Sequence, residues 1–164
     1  MAVDMFINMG SKIEGETKDD AQGSKKDIDV LAWSWGMSQS GSFHTGGGGG
    51  AGKVNVQDIS FTKYVDSASG PIMLHCCGGD HIDEIVLLVR KAGTDAQKYI
   101  TITMKKCMVS SVSTGGSGGE DRLTENVTIN FAEVLFEYFI QDDKGTTKAS
   151  GKVGWNIETN KKTA

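Results

Sequence analysis

The chain has 164 residues, with one proline, 22 glycines, 23% charged residues and a formal net charge of −4 at pH 7. That length suffices for a core that buries about two-thirds of the unfolded surface without metal or disulfide, while a net negative charge with scattered basic residues argues against nucleic acid or anionic membranes as partners. No apolar run approaches the ~20 residues of a membrane-spanning helix, and the N-terminus Met-Ala-Val-Asp-Met-Phe lacks the basic and apolar blocks of a secretory signal. Three cysteines, with Cys76 and Cys77 adjacent, cannot supply a disulfide framework. A single domain over residues 1–164, folding in the cytoplasm with reduced thiols and no membrane insertion, is expected.

Val3 to Met9 reads as a first strand, and the polar stretch Gly10 to Lys26 as an exposed loop. From Asp27 to Met37, Leu31, Trp33 and Trp35 alternate with Ala32, Ser34 and Gly36. A period of two then puts bulk on a core face and small side chains on a face that is open or closely approached. Ser38 to Gly52 is a polar loop ending in GGGGGAG, and Lys53 to Phe61 returns as a strand in which Val54 and Val56 alternate with polar residues. Together these form an extended β-excursion with a glycine tip. Gly70-Pro71 offers a cap with proline at the first helical position, and Gly78-Gly79 stops the helix after Cys77, within two turns. Strands rich in β-branched residues follow at Ile82 to Lys91, Lys98 to Met104 and Lys106 to Ser113.

Leu123 to Ile140 would reach roughly 60 Å if extended, several times an ordinary strand, so it must bend. Val127, Ile129 and Phe131 set one phase, and Ala132, Val134, Phe136, Tyr138 and Ile140 the other, as a bulge near Phe131 would produce. A strand that bends in this way suits a barrel corner. Leu135 and Phe139 point opposite to the second set, so both faces carry large apolar groups and one is expected to meet another subunit. The alternative is cover by a helix or loop of the same chain. A turn at Asp142 to Gly145 precedes a last strand, Lys152 to Ile157, and the fold is mainly β.

Several motifs resemble catalytic signatures and fail on context. GGGGAGK, residues 47–53, has phosphate-loop spacing, yet Val54 offers no hydroxyl for magnesium and a strand comes next where a helix should begin. GGSGG, residues 115–119, matches a nucleophile elbow, but the histidines at 44, 75 and 81 all precede Ser117 and the next segment reads as strand. His75, Cys76, Cys77 and His81 carry metal-ligand chemistry at poor spacing: adjacent helical residues point about 100° apart, and buried small thiols are the preferred reading. Asn126-Val127-Thr128 matches a glycosylation acceptor that a chain without a signal peptide would not expose to that machinery.

Four strings remain distinctive: DIDVLAWSWGMSQSGSFHTGGGGGAGKVNVQDISFTKYVD (27–66), VSSVSTGGSGGEDRLTENVTINFAEV (109–134), MAVDMF at the start and GWNI (154–157). Together they closely resemble the Hcp family, the tube protein of bacterial type VI secretion systems, along nearly the whole chain. Matches are weaker over Gly10 to Lys26, the helix, and Phe139 to Ser150, and the Cys76-Cys77 pair is not part of the family pattern.

The resemblance implies a compact antiparallel β-barrel of two sheets with one short side helix and an extended β-loop. It further implies six copies closing into a ring, and rings stacking into a hollow tube that a contractile sheath expels together with its spike proteins. By the same resemblance, Ser34 looks into the lumen, where small effector proteins are held before export. The loop carrying Gly46, Gly47, Gly48, Gly49 and Gly50 reaches the neighbouring ring, glycine there permitting close backbone approach. Leu135 and Phe139 lie at a head-to-tail subunit interface. The implied activity is structural, with no catalytic residue, cofactor or metal, and the protein passes from the cytoplasm to the extracellular space or target cells without a signal peptide. A monomeric sugar-binding β-domain and a hydrolase or metalloenzyme are the competing readings. Mass in solution separates the first from a tube subunit, and metal content with ester hydrolysis separates the second.

Overall fold

Alternating apolar and polar residues carry most of this chain into strands, and glycine or aspartate sets the turns between them. The computed structural model describes residues 2–44, 50, 52–93 and 96–164. Along the chain run β1 (Val3–Asn8), α1 (Asp20–Gly23), β2 (Ile28–Asp29), β3 (Ala32–Ser34), β4 (Met37–Ser38), β5 (Asn55–Val56), β6 (Ile59–Tyr64) and α2 (Ser69–Gly78). The second half is almost all strand: β7 (His81–Lys91), β8 (Lys98–Thr114), β9 (Thr124–Gln141), β10 (Thr147–Asn156) and β11 (Lys161–Lys162).

One antiparallel sheet runs in the order β11-β10-β9-β8-β7-β1-β2, with β6 on β9 and β3 on β6, while β4 and β5 form a separate two-stranded ribbon. Between β2 and β3 the chain itself crosses the gap. The Val30 amide donates to Met5 O at 2.9 Å, on β1, and the Leu31 amide to Thr62 O at 2.8 Å, on β6. The ladder therefore does not close, and a crossing segment with two hydrogen bonds completes the turn of the barrel wall. Inside it lies a core built on Ile7, Ile28, Phe61, Ile85, Leu87 and Ile102, each such side chain contributing about 1.5–3 kcal/mol of burial.

β9 is the long bent strand expected, and its corner is visible in what pairs with it. β6 lies along Thr124 to Ile129, β10 along Glu133 to Gln141, and β8 accompanies both halves. The buried set changes phase between Phe131 and Val134. The expected local bulge is replaced by a concerted bend: Cys107 still faces Phe131 and Lys105 still faces Glu133 in unbroken register, and Lys106 on β8 takes φ +53°. Register shifts fall instead between Val109 and Ser111 on β8 and between Ala149 and Gly151 on β10.

Other expectations are corrected. The stretch 10–26 is not simply exposed: Ile13 is buried in the core, and Asp19 caps α1 by accepting from the Ala21 and Gln22 amides at 3.1 and 3.0 Å. The strand read over Asp27 to Met37 breaks into β2, β3 and β4, which leaves Trp33 and Trp35 half-buried and Leu31 exposed. Lys98 to Thr114 is continuous rather than two strands, and β10 begins five residues before Lys152. Helix α2 runs to Gly78, and Gly79 ends it at φ +67° with its amide on His75 O at 2.9 Å.

Candidate assembly surfaces

β6 and β9 draw a buried charged cluster to the base of α2. Ile59, Phe61 and Lys63 share one face of β6, so the register that buries the first two also buries the lysine. Lys63 Nζ donates to Glu125 Oε1 at 2.5 Å, Tyr64 O at 2.9 Å and Ser69 Oγ at 3.1 Å, and lies 2.8 Å from Asp66 Oδ1. Ser69 Oγ also donates to Glu125 Oε1 at 2.6 Å, which ties the first turn of α2 to the wall. The sequence reading missed this cluster, although the in-phase positions of Lys63 and Glu125 were its signal. A second ionic clamp joins Arg90 on β7 to Asp19, with Asp4 Oδ2 at 3.5 Å. The Arg90 hydrogen bond, seconded by the Gln22 amide, holds the Asp19 carboxyl below its ordinary pKa. Both clusters have the geometry of structural fasteners.

Among the described residues, none of the motifs of catalytic appearance forms a site. Residues 45–49 and 51 of the glycine run lie outside the described residues, and the next element along the chain is the strand β5 rather than a helix. Gly115 to Gly119 links β8 to β9 with no helix after Ser117. Cys77 and His81 are exposed and Cys76 is half-buried, so the expected burial of both thiols is corrected: Cys77 lies on the solvent side of α2. His75 is buried with Nδ1 2.8 Å from Pro71 O. Among the described residues no group of three or more His, Cys, Asp or Glu side chains is placed to hold a metal.

What the fold does build is a smooth wall. Ser34 is exposed on β3 and pairs with Ser60, which pairs with Thr128, which pairs with Ser111. The next row is Ala32, Thr62, Asn126 and Ser113, with Thr62 Oγ1 donating to Asn126 Oδ1 at 2.7 Å. Cross-strand partners share a face, so four strands present small hydroxyl, methyl and amide groups without a charge or a large apolar side chain in either row. Of these eight, the sequence put Ala32 and Ser34 on the small-residue face and only Ser34 was assigned to the lumen.

The ribbon β4–β5 lies in the chain between two strands of this wall, β3 and β6. Gly50 is exposed, with its carbonyl accepting from Ser42 Oγ at 3.3 Å, and Gly46, Gly47, Gly48 and Gly49 lie outside the described residues. Phe43, not foreseen, is 88% exposed on this loop, and Met37 at its base is exposed as well. A lone aromatic in a Ser/Gly-rich stretch was the available signal.

At the far end of β9, Leu135 and Phe139 are both half-buried, so neither is a bare apolar group. Leu135 lines a cleft of about 310 Å³ with Lys105, Lys152, Thr163 and Ala164, and there the chain's own last residues pair with Gly154. Lys98 Nζ sits 5.9 Å from the centre of the Phe139 ring. On the opposite face, Val134 is buried, but Tyr138 and Ile140, placed with the core by their phase, are 37% and 49% exposed.

Known proteins share this geometry closely. The family model described as "Type VI secretion system effector, Hcp" matches residues 6–138. Protein hcp1 of Pseudomonas aeruginosa is 58% identical over 162 residues, covering 98% of each chain. A solved structure described as a type six secretion system protein superposes with a TM-score of 0.90 at 30% identity, over 99% of this chain and 100% of that one. Hcp1 from Salmonella typhimurium superposes with a TM-score of 0.79 at 33% identity, over 99% of both.

Proposed function

Because the chain belongs to the Hcp family of type VI secretion system proteins, we propose that six copies close into a ring and that rings stack into the tube which this system expels. The protein is a structural component of that tube rather than an enzyme. The observation that carries the reading is a likeness that spans 98% of the chain at 58% identity.

The surfaces supply the physical support. Ser34 and the two rows around it form the lumen wall: their hydroxyl and amide groups give a passing protein many weak, exchangeable hydrogen bonds, and the neighbouring Asp58 carboxylate is already taken by Ser110 Oγ and Asn130 Nδ2 at 2.8 Å each. Small effector proteins occupy that lumen. The ribbon carrying Phe43 and Gly50 reaches the adjacent ring, with a sheath around the finished tube and a spike at its tip. Leu135 and Phe139 flank the contact between neighbours in one ring. The protein folds in the cytoplasm and leaves the cell with the expelled tube.

Light scattering on a sizing column tests the reading at its base. A particle of six times 17.5 kDa is expected. A particle of 17.5 kDa at millimolar-range concentration, well folded, would exclude it.

A further inference from the structure

The strand pair β9–β10 runs past the point where its own chain covers it. On the core side of this sheet, register places Ile102, Phe136 and Val153 in one row, Ile100, Tyr138 and Gly151 in the next, and Ile140 opposite Lys148 beyond them. Burial fades along that face. Ile102 is fully buried and Phe136 half-buried, whereas Tyr138, Ile140 and Val153 are 37%, 49% and 53% exposed. Gly151 has no side chain to shield the Tyr138 ring, and Tyr99 meets it edge-on, with ring centres 5.7 Å apart. The result is a core surface that lacks its second half, with aromatic and branched side chains at its centre.

Its rim is basic. Lys148 faces Ile140 in register, and Lys91 Nζ lies 5.7 Å from the Tyr99 ring centre while donating to Gln141. Asp142, in the adjoining turn, spends its Oδ1 on the Lys144 and Thr146 amides. The chain is charged unevenly to match: residues 1–84 hold 12 of its 21 acidic groups and only 6 of its 17 Lys and Arg.

We infer that the face formed by Tyr138, Ile140 and Val153 is the contact through which one copy of this chain seats on the next within a ring, and that the second copy meets it with an acidic surface drawn from residues 1–84. The inference rests on the ring reading above and moves the energetic centre of the contact from Leu135 and Phe139 to the opposite face. The occupant is a second copy because the patch continues the subunit core without a break and because the chain itself carries the complementary charge. A heterologous contact of this kind, one surface against a different one, closes into rings.

Val153→Asp and Ile140→Asp test it, with Leu135→Asp as the contrast. Both positions are about half exposed in the single copy, so a carboxylate is tolerated by the fold but is trapped without a partner in the contact. Sedimentation and native mass spectrometry should find ring assembly weakened roughly thirtyfold or more, the smallest effect of a residue central to an interface, with the circular dichroism spectrum unchanged. Leu135→Asp should weaken it less. A second measurement needs no variant: zero-length carbodiimide cross-linking of rings mixed from ¹⁴N and ¹⁵N subunits should join Lys148 or Lys91 to acidic residues of 1–84 in another copy. Intact rings from Val153→Asp and Ile140→Asp, or cross-links that avoid Lys148 and Lys91, overturn the surface while leaving the ring reading in place. A wild-type protein that stays a single copy overturns both.

Discussion

Replacing Lys63 by methionine takes a cation out of a site sealed from solvent, and the structure says what is stranded. Glu125 is fully buried; its Oε1 would keep only the Ser69 hydroxyl at 2.6 Å, and its Oε2 has no hydrogen-bond partner among the described residues even in the wild type. Leaving a buried charge uncompensated costs about 3–5 kcal/mol, a large part of the roughly 5–15 kcal/mol that holds a domain together. Glu125→Gln is milder. Lys63 then retains Asp66, the Tyr64 carbonyl and Ser69, and the expected loss is about 1–3 kcal/mol. The double variant Lys63→Met/Glu125→Leu removes the buried pair but leaves Asp66, which keeps the Ala68 amide at 2.9 Å, so it should recover part of the loss. Urea unfolding measures all three, at one protein concentration because assembly adds to apparent stability. A Lys63→Met variant within about 1 kcal/mol of wild type, or a double variant no better than the single, would refute the reasoning.

Burial pushes the Cys107 thiol up to about 12. An aromatic disulfide reagent at pH 8 should therefore label exposed Cys77 first and Cys107 only on unfolding; early labelling of Cys107 would show the core to be open. Asp27 is buried, and desolvation raises its carboxyl pKa above 3.8 against the opposing hydrogen bond from Asn8. Its ionisation therefore penalises the fold: the contribution is most favourable below the unfolded value and declines as pH rises through the folded one. Asp27→Asn keeps an acceptor for Asn8 and should melt higher than wild type at pH 7, with the gap closing below pH 3.8; an equal gap at both pH values would contradict this. Asp19 has the opposite sign, so the stability that Arg90 lends through it is present above pH 3.8 and lost as acid protonates the lowered carboxyl. Asp19→Ala should melt lower at pH 7 and converge with wild type in strong acid.

Much of the fold was legible because local signals agreed with it. The phase change in β9 announced a corner, Gly79 a helix end, and the glycine run a ribbon. What escaped was set by tertiary contact. Leu31 alternates with the tryptophans yet is exposed, because at Val30 and Leu31 the chain crosses from β1 to β6 and breaks the strand. Tyr138 and Ile140 keep the buried phase but lie beyond the reach of the core, and periodicity says which way a side chain points, not whether anything covers it. The same limit applied to the assembly surfaces. Ser34 and Ala32 were placed on one small-residue face, while their six partners on β6, β9 and β8 became visible only with strand order and register.

Negative-stain imaging of the purified protein addresses the central claim, that copies of this chain seal one another's uncovered apolar faces. Rings with a stain-filled centre, end-stacked at high concentration, are the expected view. A uniform field of small, separate particles at the same concentration would contradict it.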